Sequence, residues 1–205
     1  LLIVPVAIYI RRHVEEPETF RRLAAARAAG TVRQVGLLEM LRTHGRETLT
    51  GMGLIVAGTV AVYISFTYLV TFSTVTLKLP LRETFMVQLA SAFLMLVLMP
   101  FVGAASDRIG RRPILIGSLL GYLVVIHPLY SWLVSDPGID RLLTVQLVIS
   151  VFVAAFFGVV STVMAELFPA NVRSLGMSMA YNLAVMIFGG FAQFIVTWLI
   201  RATGS

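Results

Sequence analysis

Long apolar runs without a single charged residue alternate with short polar segments along this chain. Five such runs occur, at 51–77, 84–106, 113–135, 142–165 and 174–200. Each is longer than the roughly 20 residues that a helix needs to cross a hydrocarbon layer of ~30 Å. Because each run is apolar nearly all round, one water-soluble core could not bury all five. The pattern therefore predicts an all-α, polytopic membrane bundle with about five full transmembrane helices.

The composition agrees with a membrane environment and excludes several function classes. Hydrophobic residues make up 58% of the chain and charged residues 13%, against roughly 25% charged in a soluble domain. The net charge of +6 does not indicate nucleic-acid binding, because no basic run interleaves with aromatic residues. Cysteine is absent, which excludes disulfides. The sequence contains no Ser/His/Asp triad, metal-ligand cluster or phosphate-binding glycine loop, so we predict no enzyme, no cofactor and no metal ion.

Residues 1–50 comprise a short apolar start and one long polar stretch. Residues 1–10 cannot span a bilayer and are predicted to be the end of a preceding transmembrane helix. A signal-peptide core is the alternative, but no cleavage-site pattern follows. Residues 11–50 hold eight Arg and five Glu and are predicted to be a loop between membrane bundles. We therefore interpret the chain as a fragment of a larger protein, in which residues 51–205 form one bundle.

The distribution of basic residues orients the predicted helices. If 11–50 is cytoplasmic, the loops after the second and fourth spans are cytoplasmic too, and twelve basic residues fall on that side. The other side receives four. Trp132 and Trp198 fall near that other side, where amphipathic rings prefer the interface. The positive-inside rule thus predicts that the arginine-rich loops face the cytoplasm.

The most specific local pattern is the turn between the second and third spans, which reads Gly103-Ala-Ala-Ser-Asp107-Arg108-Ile-Gly110-Arg111-Arg112-Pro113. Gly110 can adopt the positive φ that a tight reversal requires, and Gly103 allows two helices to approach closely. Asp107 can pair with a nearby arginine, and the arginines can contact lipid phosphates or acidic partners. An ordinary basic cytoplasmic turn is the alternative interpretation.

A second pattern begins at the end of the fourth span, with Ala165-Glu166-Leu-Phe-Pro169-Ala-Asn-Val-Arg173-Ser-Leu-Gly176, and continues with Tyr181-Asn182 and Phe188-Gly189-Gly190. The turn at 103–113 resembles the signature loop of the major facilitator superfamily. The second pattern is similar to the metabolite:proton symporter family within that superfamily, and its citrate and tricarballylate branch is the most similar. The resemblance covers residues 51–200. Many relatives have proline where Gln193 stands, which implies a straighter helix here.

The resemblance implies a major-facilitator-type carboxyl-terminal half in the bacterial inner membrane. The spans would be helices seven to eleven of twelve, with 1–10 the end of helix six and 11–50 the cytoplasmic central loop. The implied partners are the lipid bilayer and a missing amino-terminal six-helix half. The implied function is symport of a proton with a small organic acid, citrate-like di- or tricarboxylates first, by alternating access. A sugar- or osmolyte-type carrier with a proline- or betaine-like substrate is the alternative, and a channel or structural membrane subunit is a rival from another class.

The five spans contain no Lys or Arg, although a tricarboxylate needs cationic partners. We therefore expect the substrate-binding charges and the main proton carrier to lie in the missing half, while this chain supplies hydrogen-bond donors. The candidate substrate-binding residues are polar groups within the spans: Tyr63, Thr67, Thr71, Gln88, Tyr181, Asn182 and Gln193. The first three follow the i, i+4, i+8 spacing of one helix face, and the amides should face the bundle interior. Interhelical hydrogen bonding without substrate contact is the alternative for each.

Charged residues at the predicted cytoplasmic ends form a candidate gate. Glu166 and Arg173, with Asp107 and Arg111 or Arg112, are predicted to hold the helix ends together in one state and to separate in the other. Static anchoring of the loops is the alternative. The full set of predicted gating and loop residues is Gly103, Asp107, Arg108, Gly110, Arg111, Arg112, Glu166 and Arg173.

Two further features within the third span have structural interpretations. His127 precedes Pro128 near the outer end of its span, so we expect a structural or interfacial histidine rather than a proton relay. Gly117 and Gly121 form a Gly-x-x-x-Gly pattern, which we expect to support packing within the bundle.

Overall fold

The computed structural model describes residues 36–203. It leaves out a few side chains within that range, those of Leu37, Leu38, Ala192, Gln193, Val196, Ile200 and Thr203. The predictions for 1–10 and for 11–35 lie outside the described residues. The described part contains helices and no strand, so the predicted all-α fold is confirmed.

Within the described residues, six helices follow one another along the chain. They are α1 (Leu37–Thr43), α2 (Gly45–Thr76), α3 (Leu81–Ile109), α4 (Arg111–Ser135), α5 (Ile139–Leu167) and α6 (173–203). Within the described residues, α2 to α5 are long and apolar enough to cross a membrane. The fifth predicted span corresponds to α6, which is helical over its described length.

The helices extend beyond the charge-free runs at most of their ends. The structure begins α2 at Gly45 rather than at 51 and places α1 just before it, so the end of the predicted 11–50 loop is helical. The helices α3 and α5 likewise reach Ile109 and Leu167. Charged side chains at helix ends can reach the polar interface, and a helix therefore does not end where its apolar run ends.

Three wide π-helical turns interrupt the regular helices in the described part of the chain. Two lie in α2, at Tyr63–Tyr68 and Phe72–Thr76, and one lies in α6, at Val185–Gly189. The hydrogen bonds of a π-turn run from i to i+5, so each such turn shifts the register of the residues that follow. Residues spaced by four no longer share one face beyond Tyr63.

The helix α5 occupies the centre of the bundle. It packs most extensively against α3 and α4, and it also contacts α2, which in turn packs against α6. Two clusters of buried apolar residues lie along its length, one around Phe156 and Met164 and the other around Val145 and Ile149. Because α5 contributes to both clusters, it joins the two ends of the core.

Several glycines lie where α5 packs closely against α3 and α4. A Cβ added at Gly158 of α5 would lie 3.0 Å from the backbone oxygen of Met99 in α3, and one at Gly103 would lie 3.5 Å from the backbone oxygen of Gly158. The close approach expected at Gly103 therefore occurs between α3 and α5. In the Gly-x-x-x-Gly pattern, a Cβ at Gly121 would overlap the Phe152 ring, whereas one at Gly117 would meet no atom within 4 Å.

The two ends of the bundle differ in their charges. We call the end at which Ile109, Arg111 and Leu167 lie the basic end, and we call the other the opposite end. At the opposite end, Arg141 pairs with Asp136 at 2.9 Å and donates to the carbonyl of Trp132 at 3.0 Å. Its guanidinium also lies 5.0 Å from the centre of the Trp132 ring. One cation therefore fastens the α4–α5 turn and fixes the Trp132 ring.

We expect Gly110→Ala to destabilise the bundle by about 1–3 kcal/mol, because only glycine tolerates its backbone conformation well. Gly110 has φ 102° and ψ 150° at the junction of α3 and α4. Gly117→Ala is the matched control: its site is helical and open, so the substitution should be neutral or stabilising by about 0.5–1 kcal/mol. The midpoint of thermal unfolding in detergent measures the stability of both variants. An equal change in the two would contradict the backbone strain expected for alanine at position 110.

Candidate functional site

Two adjoining open cavities form a groove along one side of the bundle. Their volumes are about 290 Å³ and about 460 Å³, and both are lined by Ile55, Phe157 and Tyr181. The groove thus runs between α2, α5 and α6, and α3 adds Met95 and Met99 to its wall. The volumes of the two cavities are of the size that small-molecule sites have.

Hydroxyl and amide groups supply the polarity of the groove. The polar residues that line it are Thr59, Tyr63, Ser161, Ser178, Tyr181 and Asn182. No Lys, Arg, Asp, Glu or His is among the described residues that line these two cavities. Asn182 donates one amide hydrogen to the backbone oxygen of Ser178 at 2.7 Å, which uses part of its capacity within α6. The groove can therefore offer neutral hydrogen bonds but no positive charge.

The structure brings together three of the seven predicted substrate-binding residues. Tyr63, Tyr181 and Asn182 line the groove. Thr67 and Thr71 are exposed and belong to neither cavity, because the π-turn that starts at Tyr63 breaks the predicted i, i+4, i+8 face. The side chain of Gln193 is among those that the structure does not describe.

Gln88 has a partner that the sequence analysis missed. The amide nitrogen of Gln146 in α5 donates to the side-chain oxygen of Gln88 in α3 at 2.9 Å. Gln146 is only 1% exposed, whereas Gln88 is half-buried. The interhelical hydrogen bond that was the alternative for Gln88 is therefore present, and Gln88 lies outside the two cavities.

Three polar residues of the groove, Thr59, Ser161 and Ser178, were absent from the predicted set, although the spacing carried a usable signal for two of them. Thr59 lies one turn before Tyr63, on the regular part of α2, and Ser178 lies one turn before Asn182. The i, i+4 rule applied backwards from the predicted residues would have found both. Ser161 had no comparable signal, because the apolar run of α5 gives no reason to prefer one face.

A charged cluster at the basic end links three helices. Arg111, the first residue of α4, pairs with Glu166 near the end of α5 and lies 3.6 Å from the carboxylate of Asp107 near the end of α3. The Arg111 side chain is 27% exposed, while those of Asp107 and Glu166 are 69% and 58% exposed. The structure therefore brings these three predicted gating residues together.

Each charge in this cluster stands at the less favourable end of its helix. A carboxylate is disfavoured at a helix carboxyl terminus and a cation at an amino terminus, by about 0.3–1 kcal/mol for exposed groups. Asp107 and Glu166 occupy last turns, and Arg111 opens α4. These residues therefore do not stabilise their own helices, and their contribution comes from contacts between helices.

The predicted partner Arg173 occupies a different place. Its Nε donates to the carbonyl oxygen of Phe168 at 3.4 Å, and no carboxylate within the described residues forms an ion pair with it. Phe168 is 1% exposed and fills the space beside Gly176, where a Cβ would overlap its ring. Arg173 thus shapes the α5–α6 loop instead of joining the cluster.

The remaining predicted charges lie at the surface. Arg108 and Arg112 are exposed at the basic end. His127 is exposed on α4 and does not line the groove. No group of three or more metal-ligating side chains occurs among residues 36–203.

Comparison with known proteins finds one matching family model and several similar transporters. A family model described as Major Facilitator Superfamily matches residues 48–203. The citrate-proton symporter of Klebsiella pneumoniae is 34% identical over 205 residues, which is 100% of this chain and 45% of the symporter. The alpha-ketoglutarate permease of Escherichia coli is 30% identical, covering 93% of this chain and 42% of the permease. The proline/betaine transporter of Salmonella typhimurium is 24% identical, covering 97% and 40%.

The chain therefore spans less than half the length of these curated relatives. No solved structure matches it.

We expect a cysteine placed in the groove to react with a water-soluble maleimide in lipid vesicles. The chain contains no native cysteine, so a single substitution gives a single thiol. Ser178→Cys should react readily because Ser178 is exposed and lines the groove. Ser150→Cys is the control and should stay unlabelled, since Ser150 is 0% exposed on α5. Labelling of both at the same rate would contradict the packing of α5.

Proposed function

Because this chain belongs to the major facilitator superfamily, we propose that it is the carboxyl-terminal bundle of a carrier that moves a small organic acid together with a proton. The family and the membrane-length helices make it part of a transporter rather than an enzyme, and a multi-pass protein of the bacterial inner membrane. The favoured substrates are citrate-like di- and tricarboxylates. Transport proceeds by alternating access, in which two bundles rock around a central site.

The groove between α2, α5 and α6 is the observation that carries this proposal. It is lined by hydroxyl and amide groups that can donate hydrogen bonds to carboxylate oxygens. A citrate-proton symporter and an alpha-ketoglutarate permease are among the relatives that align over nearly the whole chain. The proposed substrate therefore lies against Tyr63, Tyr181 and Asn182.

The groove by itself is incomplete for an anion. A carboxylate moved out of water needs a cation or several hydrogen bonds to offset its lost hydration, and the described groove residues include no cation. We assign the substrate-binding cations and the main proton carrier to the part of the carrier that this chain does not include. That part corresponds to the amino-terminal half of the longer relatives.

A zwitterionic osmolyte is the second candidate substrate. Tyr63, Phe156, Phe157 and Tyr181 place four aromatic rings around one cavity, and aromatic faces attract quaternary ammonium groups. Proline/betaine transporters are also among the relatives. Competition between the two substrate classes separates these candidates.

We place the basic end in the cytoplasm, following the excess of basic residues on that side. The cluster of Asp107, Arg111 and Glu166 then lies at the cytoplasmic surface, where it holds the ends of α3, α4 and α5 together. Its separation in the other transport state would make it a gate. An exposed pair contributes only about 0.2–1 kcal/mol, which is a suitable size for a contact that must break in every cycle.

The complete carrier in liposomes should take up radiolabelled citrate when the proton concentration outside exceeds that inside. An uncoupler should abolish accumulation, because the proton gradient supplies the free energy. Excess unlabelled 2-oxoglutarate should compete, whereas betaine should not. Citrate uptake that is insensitive to the uncoupler would contradict proton coupling, and competition by betaine alone would favour the osmolyte carrier.

Arg111→Glu should lower the initial rate of citrate uptake about ten-fold, which corresponds to about 1.4 kcal/mol in the barrier. The substitution places three carboxylates together, and their mutual repulsion should push the ends of α3 and α5 apart. Arg46→Glu is the control, because it makes the same charge change at an exposed residue of the basic end. The double variant Arg111→Glu with Glu166→Arg should regain part of the rate. Equal uptake rates for Arg111→Glu and Arg46→Glu would contradict the gate and favour static anchoring of the loops by the cluster.

A further inference from the structure

The hydrogen bond between Gln146 and Gln88 joins α5 to α3 by two amides. Its length is 2.9 Å, and the Gln146 side chain is almost completely buried. An amide in an apolar bundle is costly unless its hydrogen bonds are satisfied. Neighbouring hydroxyls do not share this bond: Ser91 and Ser150 are buried on the same two helices, and each donates to the backbone of its own helix.

The position of Gln88 on α3 aligns it with the wall of the groove. Met95 and Met99 of α3 line the smaller of the two cavities, and they follow Gln88 at i+7 and i+11. At 3.6 residues per turn, all three lie within about 20° of one direction on the helix. Gln88 therefore continues the groove face of α3 about two turns towards the opposite end.

The bond fixes which end of the Gln88 amide is free. Gln146 donates its N–H to the oxygen of Gln88, so that oxygen is directed at the buried partner. The amide nitrogen, which carries two donors and no acceptor, is left on the half-buried side. An array that presents donors only is complementary to a carboxylate and not to an ammonium group.

The geometry of the pair leaves one of the two side-chain oxygens without a hydrogen bond. The side-chain oxygen of Gln146 is buried and accepts no hydrogen bond within the described residues. Leaving a buried acceptor unpaired costs about 1–3 kcal/mol. Two amides selected only to hold α3 and α5 together would gain more from a reciprocal pair of bonds, so stability alone does not account for this geometry.

We propose that Gln146 is a positioning residue that turns the amide nitrogen of Gln88 towards the transport pathway and thereby favours carboxylate substrates. The inference rests on the proposed carrier function and adds one specificity-determining pair to it. Gln88 contacts the substrate as it passes between the groove and the opposite end. Gln146 acts only through Gln88.

Two substitutions of Gln146 in the complete carrier test this role by different routes. Gln146→Met keeps a similar volume but removes the hydrogen-bond donor, so the Gln88 amide is free to rotate. The KM for radiolabelled citrate should therefore rise about ten-fold, which is equivalent to about 1.4 kcal/mol, while the maximal rate changes little. Gln146→Glu donates to Gln88 only while it is protonated. The ratio of its KM to the wild-type KM, measured at each pH, should therefore be near one in mild acid and should rise as the pH increases.

Ser150→Ala is the matched control, since it removes a buried hydroxyl that donates to the backbone oxygen of Gln146 and leaves the side-chain bond to Gln88 in place. It should leave the citrate KM unchanged. An unchanged KM in both Gln146 variants would overturn the inference, as would a fall in maximal rate with no change in KM, because a merely structural bond would act in that way. If either Gln146 variant fails to reach the membrane, Gln88→Glu is the deciding variant. Its carboxylate still accepts the hydrogen bond from Gln146 but places an anion on the pathway, so the KM for citrate should rise. An unchanged KM would overturn the inference.

The proposed function and the role of Gln146 are refuted by different results. A wild-type carrier that takes up neither citrate nor 2-oxoglutarate would refute the proposed function. A wild-type carrier that takes up citrate, with variants that bind it equally well, would refute the role of Gln146 alone.

Discussion

The lateral packing of α5 against α3 is the interaction on which the rest of the structure depends. Lipid tails are as apolar as leucine, so helices in a bilayer associate through close packing and a few polar contacts. Along this one seam the chain uses two kinds of contact, backbone approach at Gly158 and an amide pair at Gln146, and at the basic end the Glu166–Arg111 ion pair joins α5 to α4. Together they fix the rotation of α5, and that rotation presents Phe157 to the groove.

The sequence predicted the helices well because lipid imposes a simple rule on them. Charges are excluded from the hydrocarbon layer, so charge-free runs located the helices, and the turn motif identified Gly110 as the residue with positive φ. The register within the helices was harder to obtain. A π-turn leaves no mark in the apolar pattern, which is why the face predicted for Thr67 and Thr71 is not the groove face.

Pairing of polar groups between helices was also beyond the sequence. Gln88 and Gln146 are 58 positions apart, and each is the only amide side chain in its charge-free run, so only the packing of α3 on α5 shows that they meet. Arg111 and Arg173 illustrate the same limit. Both lie in motifs that resemble one family, yet only one of them reaches Glu166, because Arg173 is held close to the carbonyl of Phe168.

The π-turns of α2 let one helix serve two unrelated surfaces. Before the first of them, Thr59 lines the groove; within it, Ser65 faces α4 and bonds to the hydroxyl of Tyr122 at 2.9 Å. Loss of a single residue between Thr59 and Ser65 would turn the remainder of α2 by about 100° and move its buried residues off the face that packs against the bundle. Point substitutions along this helix should thus be tolerated far more readily than a one-codon deletion, and related carriers that conserve the groove should also conserve the length of this segment.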